Sequence, residues 1–345
     1  MDTLTHALSG ALIARATASR ADALPLGRRM LVGAAAAAFP DLDFVTGYMG
    51  PLTYLHQHRG VTHSLLLLPL WAAFVALAFA LLWRFKPSYR AYLGIAAIGI
   101  VAHIAGDLIT SFGTMIFAPL SDARYALSTT FIIDLWFSGI ILAGLAASAL
   151  WRRTRAPAVI GLAVLAGYVG FQWTLQQQAV DFGRRYASAA GLDGARVSAV
   201  PRPVSPFNWT VFVEHDGRYR YAHVNLVRKR ALPEPGAETP FIDRLDAPYR
   251  PLADAEWMPA GVYGAGDELA LAREAYTQPS FRFFRWFAAY PALLRVDGAG
   301  PCVWFHDLRF LTPGRNTPFL YGMCRDGDAA WKPFQLLGEA RRAVY

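Results

Sequence analysis

The sequence contains few charged residues. Asp, Glu, Lys and Arg make up only 17% of its 345 residues, against about 25% in an average soluble protein. The shortage is concentrated in the first half, where residues 64–83 carry no charged side chain. A helix needs about 20 apolar residues to cross the roughly 30 Å hydrocarbon core of a bilayer. The composition therefore excludes an ordinary soluble protein and predicts a membrane-spanning helix at 64–83.

Cysteine is also scarce. The chain has two cysteines, Cys302 and Cys324, and we expect no metal site from two cysteines alone. They stand at nearly equal distances from a TPGRN turn, so they are candidates for a cross-strand disulfide, which an oxidising compartment permits. The alternative, two separate buried thiols, stays open.

Two further absences concern targeting and partners. The first thirty residues lack a basic start and a clean apolar core, so we expect no cleaved signal peptide. The net charge is +8, yet no Lys/Arg stripe or recognition motif accompanies it, and we expect no nucleic-acid partner. The basic residues cluster beside the apolar segments instead.

The apolar segments of the first half predict a helical membrane bundle. Besides 64–83, three similar segments predict spans, at 92–111, 131–150 and 158–175. An alanine-rich segment at 30–48 is a weaker candidate, and residues 3–18 predict a short first helix. The expected fold is an α-helical membrane bundle of about five to six helices. We therefore assign residues 1–178 to a multi-pass transmembrane domain.

The basic loops set the expected orientation. Cytoplasmic loops of membrane proteins carry an excess of Lys and Arg. The chain has three such clusters, at Arg28 and Arg29, at 84–90 and at 152–155. With these clusters inside the cell, the span at 158–175 delivers the rest of the chain to the outer side. The prediction is a multi-pass protein of the inner (plasma) membrane with an extracytoplasmic C-terminal domain.

Residues 179–345 predict that second, β-rich domain. The stretch TVFVEHDGRYRYAHVNLV alternates around Asp216–Gly217, a dipeptide typical of tight hairpins. Residues 303–311 and 318–325 predict two more strands, and a further strand follows Asp326–Gly327. With a helical segment at 266–277, we expect a small, mostly antiparallel extramembrane domain.

Polar residues inside the predicted spans indicate function. An Asp in a span costs about 2.5 to 3.5 kcal/mol on insertion scales and usually faces a bundle interior. His103 and Asp107 stand four residues apart in HIAGD, so both side chains lie on one helix face and can converge on a single ion. The plain structural alternative is a His–Asp hydrogen bond that ties helices together.

Two other segments supply more ligand-type residues. HQHRGVTHS places His58 and His63 around a short turn at the mouth of a span. PDLDF places Asp41 and Asp43 just after Pro40, which interrupts the preceding helix. The alternatives are a solvated or membrane-anchoring loop for the histidines and simple helix termination for the aspartates.

Asp134 and His6 complete the candidate set. Asp134 begins a span, where it could instead cap the helix, and His6 could instead be a surface histidine of a first turn. With the basic loops inside, all of these polar residues fall at the outer ends of their helices. Polar residues with unrelated structural roles would be expected at both sides of the membrane. Because these all fall at one side, we expect one common site.

The residue types indicate metal chemistry. Mixed imidazole and carboxylate ligands suit a divalent metal, Zn first, with Mn or Fe as alternatives, and the number of ligands allows one or two ions. Such a site supports hydrolysis. Asp43 or Asp134 could act as the general base, while Arg59 and Arg124 could steady a phosphate or carboxylate group. The alternative role for both arginines is anchoring at lipid headgroups.

Several ordered motifs resemble one known family, the membrane-bound metal-dependent hydrolases, also described as LexA-regulated, inner-membrane-associated hydrolases. The resemblance is carried by MDTLTH, PDLD, HRGVTHS, HIAGDLITSFGT, PLSDARYAL and FIIDLWF. Later, FRFFRWFAAYP and VWFHDLRF resemble the outer domain of that family. The resemblance implies a metal-dependent hydrolase with these metal-site residues: His6, Asp41, Asp43, His58, His63, His103, Asp107 and Asp134.

The expected function is a membrane-embedded hydrolase that acts on a lipid-linked or amphiphilic ester or phosphoester at the outer leaflet. One alternative is an ion or small-solute transporter, although the nearly pure apolar cytoplasmic halves, such as 77–82 and 143–149, count against a continuous polar path. The other alternative is a non-catalytic membrane protein stiffened by metal. The sequence indicates no oligomeric state.

Overall fold

The computed structural model describes residues 1–19, 22–86, 88–236, 238–264, 266, 268–298, 301–325 and 329–344. These residues form two compact units. The first unit contains Met1–Thr46 and His56–Thr174, and the second contains Gly47–Leu55 and Leu175–Tyr345. The division thus falls a few residues before the sequence-based boundary at 178, and a short internal segment groups with the second unit.

The amino-terminal half is helical. Its α-helices are α1 (Thr3–Ala16), α2 (Leu26–Ala38), α3 (Pro51–Gln57), α4 (Leu68–Leu82), α5 (Arg90–Leu108), α6 (Leu135–Leu150) and α7 (Ala156–Ala189). Two 3₁₀ segments, Phe39–Met49 and Val61–His63, interrupt the regular helices. Helix α7 runs through the end of the first unit into the second.

Local sequence signals explain where these helices begin and end. The Asp2 carboxylate accepts a hydrogen bond from the Thr5 amide (2.9 Å) and thereby caps α1. Asp134 caps α6 in the same way, through the Phe137 amide at 2.9 Å. Pro40 lacks an amide donor, and α2 passes into the 3₁₀ segment directly before it.

The number of membrane-spanning helices is smaller than the sequence predicted. Among the described residues, three helices are long and apolar enough to cross a bilayer: Leu26–Met49, Arg90–Leu108 and Ala156–Ala189. A fourth span results if Pro51–His63 and Leu68–Leu82, which meet at an 81° bend, are counted as one. The prediction of five to six was wrong because α1 and α6 have only 14 and 16 residues, about 21 and 24 Å at 1.5 Å per residue.

Small residues allow the first two helices to pack in close contact. A Cβ atom added to Gly10 of α1 would lie 2.1 Å from the Gly33 carbonyl oxygen of α2, and one on Gly33 would lie 2.5 Å from the Gly10 oxygen. Gly99 of α5 approaches the same place, because its Cβ would lie 2.9 Å from the Gly33 oxygen. Such close backbone packing is the usual basis of helix association where lipid replaces water.

The carboxyl-terminal half contains two five-stranded sheets and confirms the predicted, mostly antiparallel architecture. The first sheet has the order β1 (Arg196–Pro201), β2 (Asn208–His215), β3 (Arg218–Asn225), β4 (Arg250–Pro251), with β5 (Met258–Gly261) also paired to β3. The second has the order β10 (Ala340–Ala343), β9 (Lys332–Leu337), β8 (Leu320–Cys324), β7 (Cys302–Asp307), β6 (Pro291–Asp297). Among the strands that the structure describes, only the short β3–β4 pairing is parallel. Helices α8 (Phe241–Asp246), α9 (Glu268–Thr277) and α10 (Arg282–Phe287) complete this half.

Several local predictions for this half can be compared directly. Asp216 and Gly217 have φ angles of 49° and 70° and join β2 to β3 as a tight hairpin turn. Cys302 and Cys324 lie opposite each other on β7 and β8 and form a disulfide. Helix α9 matches the helical segment expected at 266–277, whereas Asp326–Gly327 lies outside the described residues.

We predict that Gly10→Ala destabilises the protein, because the new methyl group would overlap a backbone carbonyl that cannot rotate away. Overpacking of this kind costs about 1 to 3 kcal/mol. The matched control is Gly139→Ala on α6, whose Cβ would meet no atom within 4 Å. Thermal unfolding of both detergent-purified variants, followed by circular dichroism, should show a lower midpoint for Gly10→Ala only. Equal midpoints would contradict the helix packing described here.

Candidate metal centre

Several of the polar residues predicted for the site gather in one buried cluster of the first unit. Each of four residues, namely His6, Asp41, His103 and Asp107, offers a ligand atom, and these atoms all lie within 4.8 Å of one another. The His63, His103 and Asp107 side chains are completely buried, whereas that of Asp41 is 12% exposed. Helix α1, the 3₁₀ segment after α2, the loop before α4 and helix α5 therefore all contribute to one site.

The His103 imidazole has a defined tautomer. Its Nδ1 donates a hydrogen bond to the Ala37 carbonyl oxygen at 2.6 Å, since a carbonyl can only accept. In the neutral ring, Nε2 therefore carries a lone pair. Metal-binding histidines are commonly oriented by such a bond from the other ring nitrogen.

His63 is oriented through its neighbour Thr62. The Thr62 hydroxyl donates to the Asp43 carboxylate (3.3 Å) and lies 2.9 Å from His63 Nδ1. A Thr62 hydroxyl that donates to Asp43 accepts the proton of Nδ1, and Nε2 of His63 then also carries a lone pair. The two histidines thus present equivalent ligand atoms.

These ligand atoms face one another. The Nε2 atoms of His63 and His103 lie 2.9 Å apart. Asp107 Oδ2 lies 3.1 and 3.5 Å from them, and Asp41 Oδ1 lies 3.9 and 3.6 Å from them. Asp107 Oδ2 is buried and accepts no hydrogen bond from the described residues. Buried acceptors that point at one another without a donor are unfavourable unless a cation lies between them, so this residue set fits a metal ion.

The other oxygen of Asp107, Oδ1, accepts hydrogen bonds from the protein. Oδ1 accepts hydrogen bonds from Arg59 Nη2 at 2.9 Å and from the Met1 ammonium, and His6 Nε2 lies at 3.1 Å. The His6 ring also stacks on His103, with ring centroids 3.7 Å apart. The two oxygens of Asp107 therefore differ, because one faces protein donors and the other faces the acceptors of the cluster.

Asp43 and His58 lie beside the facing ligand atoms. Asp43 Oδ1 accepts a hydrogen bond from His58 Nδ1 (2.8 Å), and Oδ2 accepts one from the Arg59 amide (2.9 Å). The resemblance to the hydrolase family implies that both residues are metal ligands, and the sequence also makes Asp43 a possible base. In the structure, both Asp43 oxygens bond to residues of the 58–63 loop, so Asp43 holds the loop that presents His63.

Arg59 is an interior residue of the site. Its side chain is 2% exposed, pairs with Asp107 and donates to Thr110 Oγ1 at 2.9 Å. The guanidinium lies over the Phe112 ring at 5.0 Å, and the Arg59 backbone has a φ angle of 59°. The sequence suggests that Arg59 steadies a substrate anion, whereas in the structure its guanidinium forms an ion pair with Asp107.

Asp134 bonds to helices α6 and α7 instead of the histidines. Besides the Phe137 amide, its carboxylate accepts hydrogen bonds from the Tyr168 hydroxyl (2.9 and 3.1 Å) and from Gln172 Nε2 (2.7 Å). Arg124, the other arginine considered for substrate binding, lies over the Phe112 ring at 4.8 Å. The capping alternative for Asp134 is thus the arrangement observed.

Sequence reasoning missed two threonines that orient the ligands. Thr62 sets the His63 tautomer, and the Thr3 hydroxyl donates to Asp41 Oδ2 at 2.6 Å, which leaves Oδ1 facing the histidines. Both lie inside the quoted motifs MDTLTH and HRGVTHS. Their position beside the ligand residues was the available signal.

Together, the fold and the site define a helical membrane protein with a buried histidine–aspartate cluster that could hold a metal. The chain belongs to the YdjM inner membrane protein family, whose family model matches residues 1–179. The match covers the helices that supply the cluster. The description of the family names the inner membrane and no reaction.

A similar protein occurs in Bacillus subtilis (strain 168), where it carries the description "Uncharacterized protein YfhP". It is 28% identical over 178 residues, which cover 50% of this chain and 52% of the relative. The match thus spans about half the length of that relative. No solved structure matches the chain.

We predict that Asp43→Asn weakens zinc binding without abolishing it, because the amide keeps the shape of the carboxylate but loses the charge that aligns His58, Arg59 and Thr62. Loss of such an orienting contact typically lowers metal affinity by roughly 10- to 100-fold. Zinc affinity can be measured by competition with a chromophoric chelator. The matched control is Asp134→Asn, which should bind zinc normally but unfold at a lower temperature. Equal zinc affinities of the two variants would contradict the assigned roles.

Proposed function

We propose that the protein is a membrane-embedded metal-dependent hydrolase. The observation that carries the proposal is the convergence of four buried side chains: the Nε2 atoms of His63 and His103 lie 2.9 Å apart, and one oxygen each of Asp41 and Asp107 lies within 3.9 Å of both. Imidazole and carboxylate groups gathered in this way are ligands that divalent metals prefer, and a metal in such a site can support catalysis.

Imidazole and carboxylate ligands suit Zn first, and Mn or Fe as alternatives. Because the facing ligand atoms form one group, we propose one ion. When bound, such a cation polarises a carbonyl or phosphoryl oxygen and makes water a stronger nucleophile at neutral pH. His6, stacked on His103 and next to Asp107, completes the proposed ligand set.

The surrounding residues support this chemistry by positioning and charge. Arg59 offsets part of the negative charge of Asp107 and leaves Oδ2 as the ligand oxygen. Ala37 and Thr62 hold the histidines with Nε2 toward the site. Asp41 is the most exposed of the four convergent residues, at 12%, so we propose that the substrate reaches the site past Asp41.

The proposed substrate is a lipid-linked or amphiphilic ester or phosphoester at the outer leaflet. The cluster lies at the ends of helices that include candidate spans, among them Arg90–Leu108, which carries His103 and Asp107. A site at that level meets molecules that partition into the membrane more readily than fully soluble ones. The distribution of basic loops supports the outer side.

The central experiment compares metal content and hydrolysis in His63→Gln and His103→Gln. Each variant removes one ligand nitrogen but keeps a polar side chain, and we expect both to reach the membrane, to lose bound metal and to lose activity against lipid phosphates and esters. Elemental analysis of detergent-purified protein and product release provide the two measurements. His215→Gln on β2, where His215 is 31% exposed, is the control and should retain both. Full metal occupancy in both site variants would refute the metal centre, and metal binding without any turnover would favour the metal-stiffened alternative.

The extracytoplasmic placement of the C-terminal domain is a separate proposal. The Cys302–Cys324 disulfide supports it, because such bonds persist in oxidising compartments. An alkaline phosphatase fused after Tyr345 should be active in intact cells, since that enzyme needs an oxidising environment. In parallel, these cysteines should resist alkylation until a reductant is added. A reporter that is active only in the cytoplasm would reverse the topology.

A further inference from the structure

The second unit contains a cavity of about 920 Å³. Its walls come from β3, α8, β5 and the segments 231–235 and 311–316. This volume lies in the range of small-molecule sites, about 300 to 1,000 Å³. The residues that line it belong to the part of the chain after residue 179, outside the region matched by the family model.

Part of the cavity wall is apolar although it is open to solvent. Phe241 is 56% exposed and Leu232 is 39% exposed, and both line the cavity together with Leu245, Met258 and Leu311. Large apolar side chains grouped at the rim of a concave site commonly mark a binding surface. The wall therefore favours a ligand with an apolar portion.

The charged residues of the cavity are unbalanced. Arg250 is paired, because Glu256 lies at 2.5 Å and Glu234 at 3.4 Å from its guanidinium. Arg244 and Arg315 have no carboxylate within ion-pair distance among the described residues: Arg244 donates to the Thr239 carbonyl (2.8 Å), and Arg315 lies over the Phe241 ring. Two positive charges of the cavity thus have no carboxylate partner in the described part of this unit.

A third donor comes from His223, whose tautomer is set by two buried neighbours. Arg202, which can only donate, bonds to Thr210 Oγ1 at 2.5 Å, and Thr210 lies 2.8 Å from His223 Nδ1 on the adjacent strand. Thr210 is fully buried and has no other acceptor among the described residues, so its hydroxyl proton goes to Nδ1. The ring proton of neutral His223 is therefore on Nε2.

His223 is neutral in this environment. Burial, together with the charge of Arg202, lowers the pKa of His223 to about 3, so the ring carries a single N–H near pH 7. The side chain lines the cavity, is 8% exposed, and its Nε2 makes no hydrogen bond to a described residue. This buried donor is thus available to a ligand.

We propose that this cavity binds an anionic amphiphile, a molecule with a phosphate or carboxylate group attached to an apolar chain. The guanidinium groups of Arg244 and Arg315 and the Nε2–H of His223 supply donors for the anionic group. Phe241 and Leu232 supply the surface for the apolar chain. The site is independent of the proposed hydrolase activity, because none of its residues belongs to the metal cluster.

The test uses the full-length protein transferred into amphipol, which removes competing micelles. Binding of radiolabelled dodecyl phosphate and dodecanoate is measured by equilibrium dialysis, with inorganic phosphate and dodecyltrimethylammonium as competitors. We expect saturable binding of at least one of the two anionic amphiphiles, and the tighter one identifies the headgroup. Neither competitor should displace it at equal concentration. Efficient displacement by inorganic phosphate would indicate a site for free anions and overturn the proposal.

Paired variants locate the binding. Arg244→Gln combined with Arg315→Gln should raise the dissociation constant at least about tenfold, the effect of losing one charged hydrogen bond. The control combines Arg184→Gln with Arg196→Gln, which removes the same charge from surface arginines paired with Asp181 and Glu214 and should leave binding unchanged. His223→Phe should weaken binding, whereas His223→Gln, which keeps a donor, should weaken it less. Equal affinities in the site and control pairs, or binding that never saturates, would refute the site.

Discussion

The first unit depends on how it accommodates one buried carboxylate. Asp107 lies on a helix long and apolar enough to span a membrane, and its side chain is completely buried. Its Oδ1 is surrounded by donors, among them the Arg59 guanidinium, while Oδ2 accepts no hydrogen bond within the described part of the chain and faces the imidazole nitrogens of His63 and His103. Burial of an unpaired carboxylate oxygen is costly, and a cation among these acceptors removes that cost. The arrangement could therefore hold a metal ion.

The same constraint explains the irregular backbone around the site. A continuous helix would separate Asp41 and Asp43 onto different faces, whereas the 3₁₀ segment after α2 lets Asp41 face the cluster while Asp43 turns to the 58–63 loop. Arg59 adopts a φ angle of 59°, which is uncommon for a residue with a side chain. These departures from regular structure lie where ligand-bearing segments must meet, as is usual at functional sites.

The two halves of the chain use polar groups in opposite ways. In the first unit, acceptors converge, and a cation is the expected partner. In the second, donors line a cavity: two arginines that pair with no carboxylate of the described residues, and the N–H of a neutral histidine. In both cases, the hydrogen bond at Nδ1 of a histidine determines whether its Nε2 can accept or donate. Ala37 makes this bond to His103, and Thr210 makes it to His223.

The sequence alone determined the apolar segments, the β-rich second half, the hairpin at Asp216–Gly217 and the set of polar residues from which a site is built. These features follow from composition and short-range periodicity, which are local properties of the chain. Only the tertiary structure decided which role each of those residues has. The atoms that face one another belong to Asp41, His63, His103 and Asp107, with His6 alongside. Asp43 instead holds a loop, and Asp134 ties α6 to α7. The number of spans was also a tertiary matter, because it depends on where helices stop and bend. Side-chain direction and hydrogen-bond partners arise from contacts between residues as far apart as Thr3 and Asp41 or His63 and Asp107, and no local pattern contains that information.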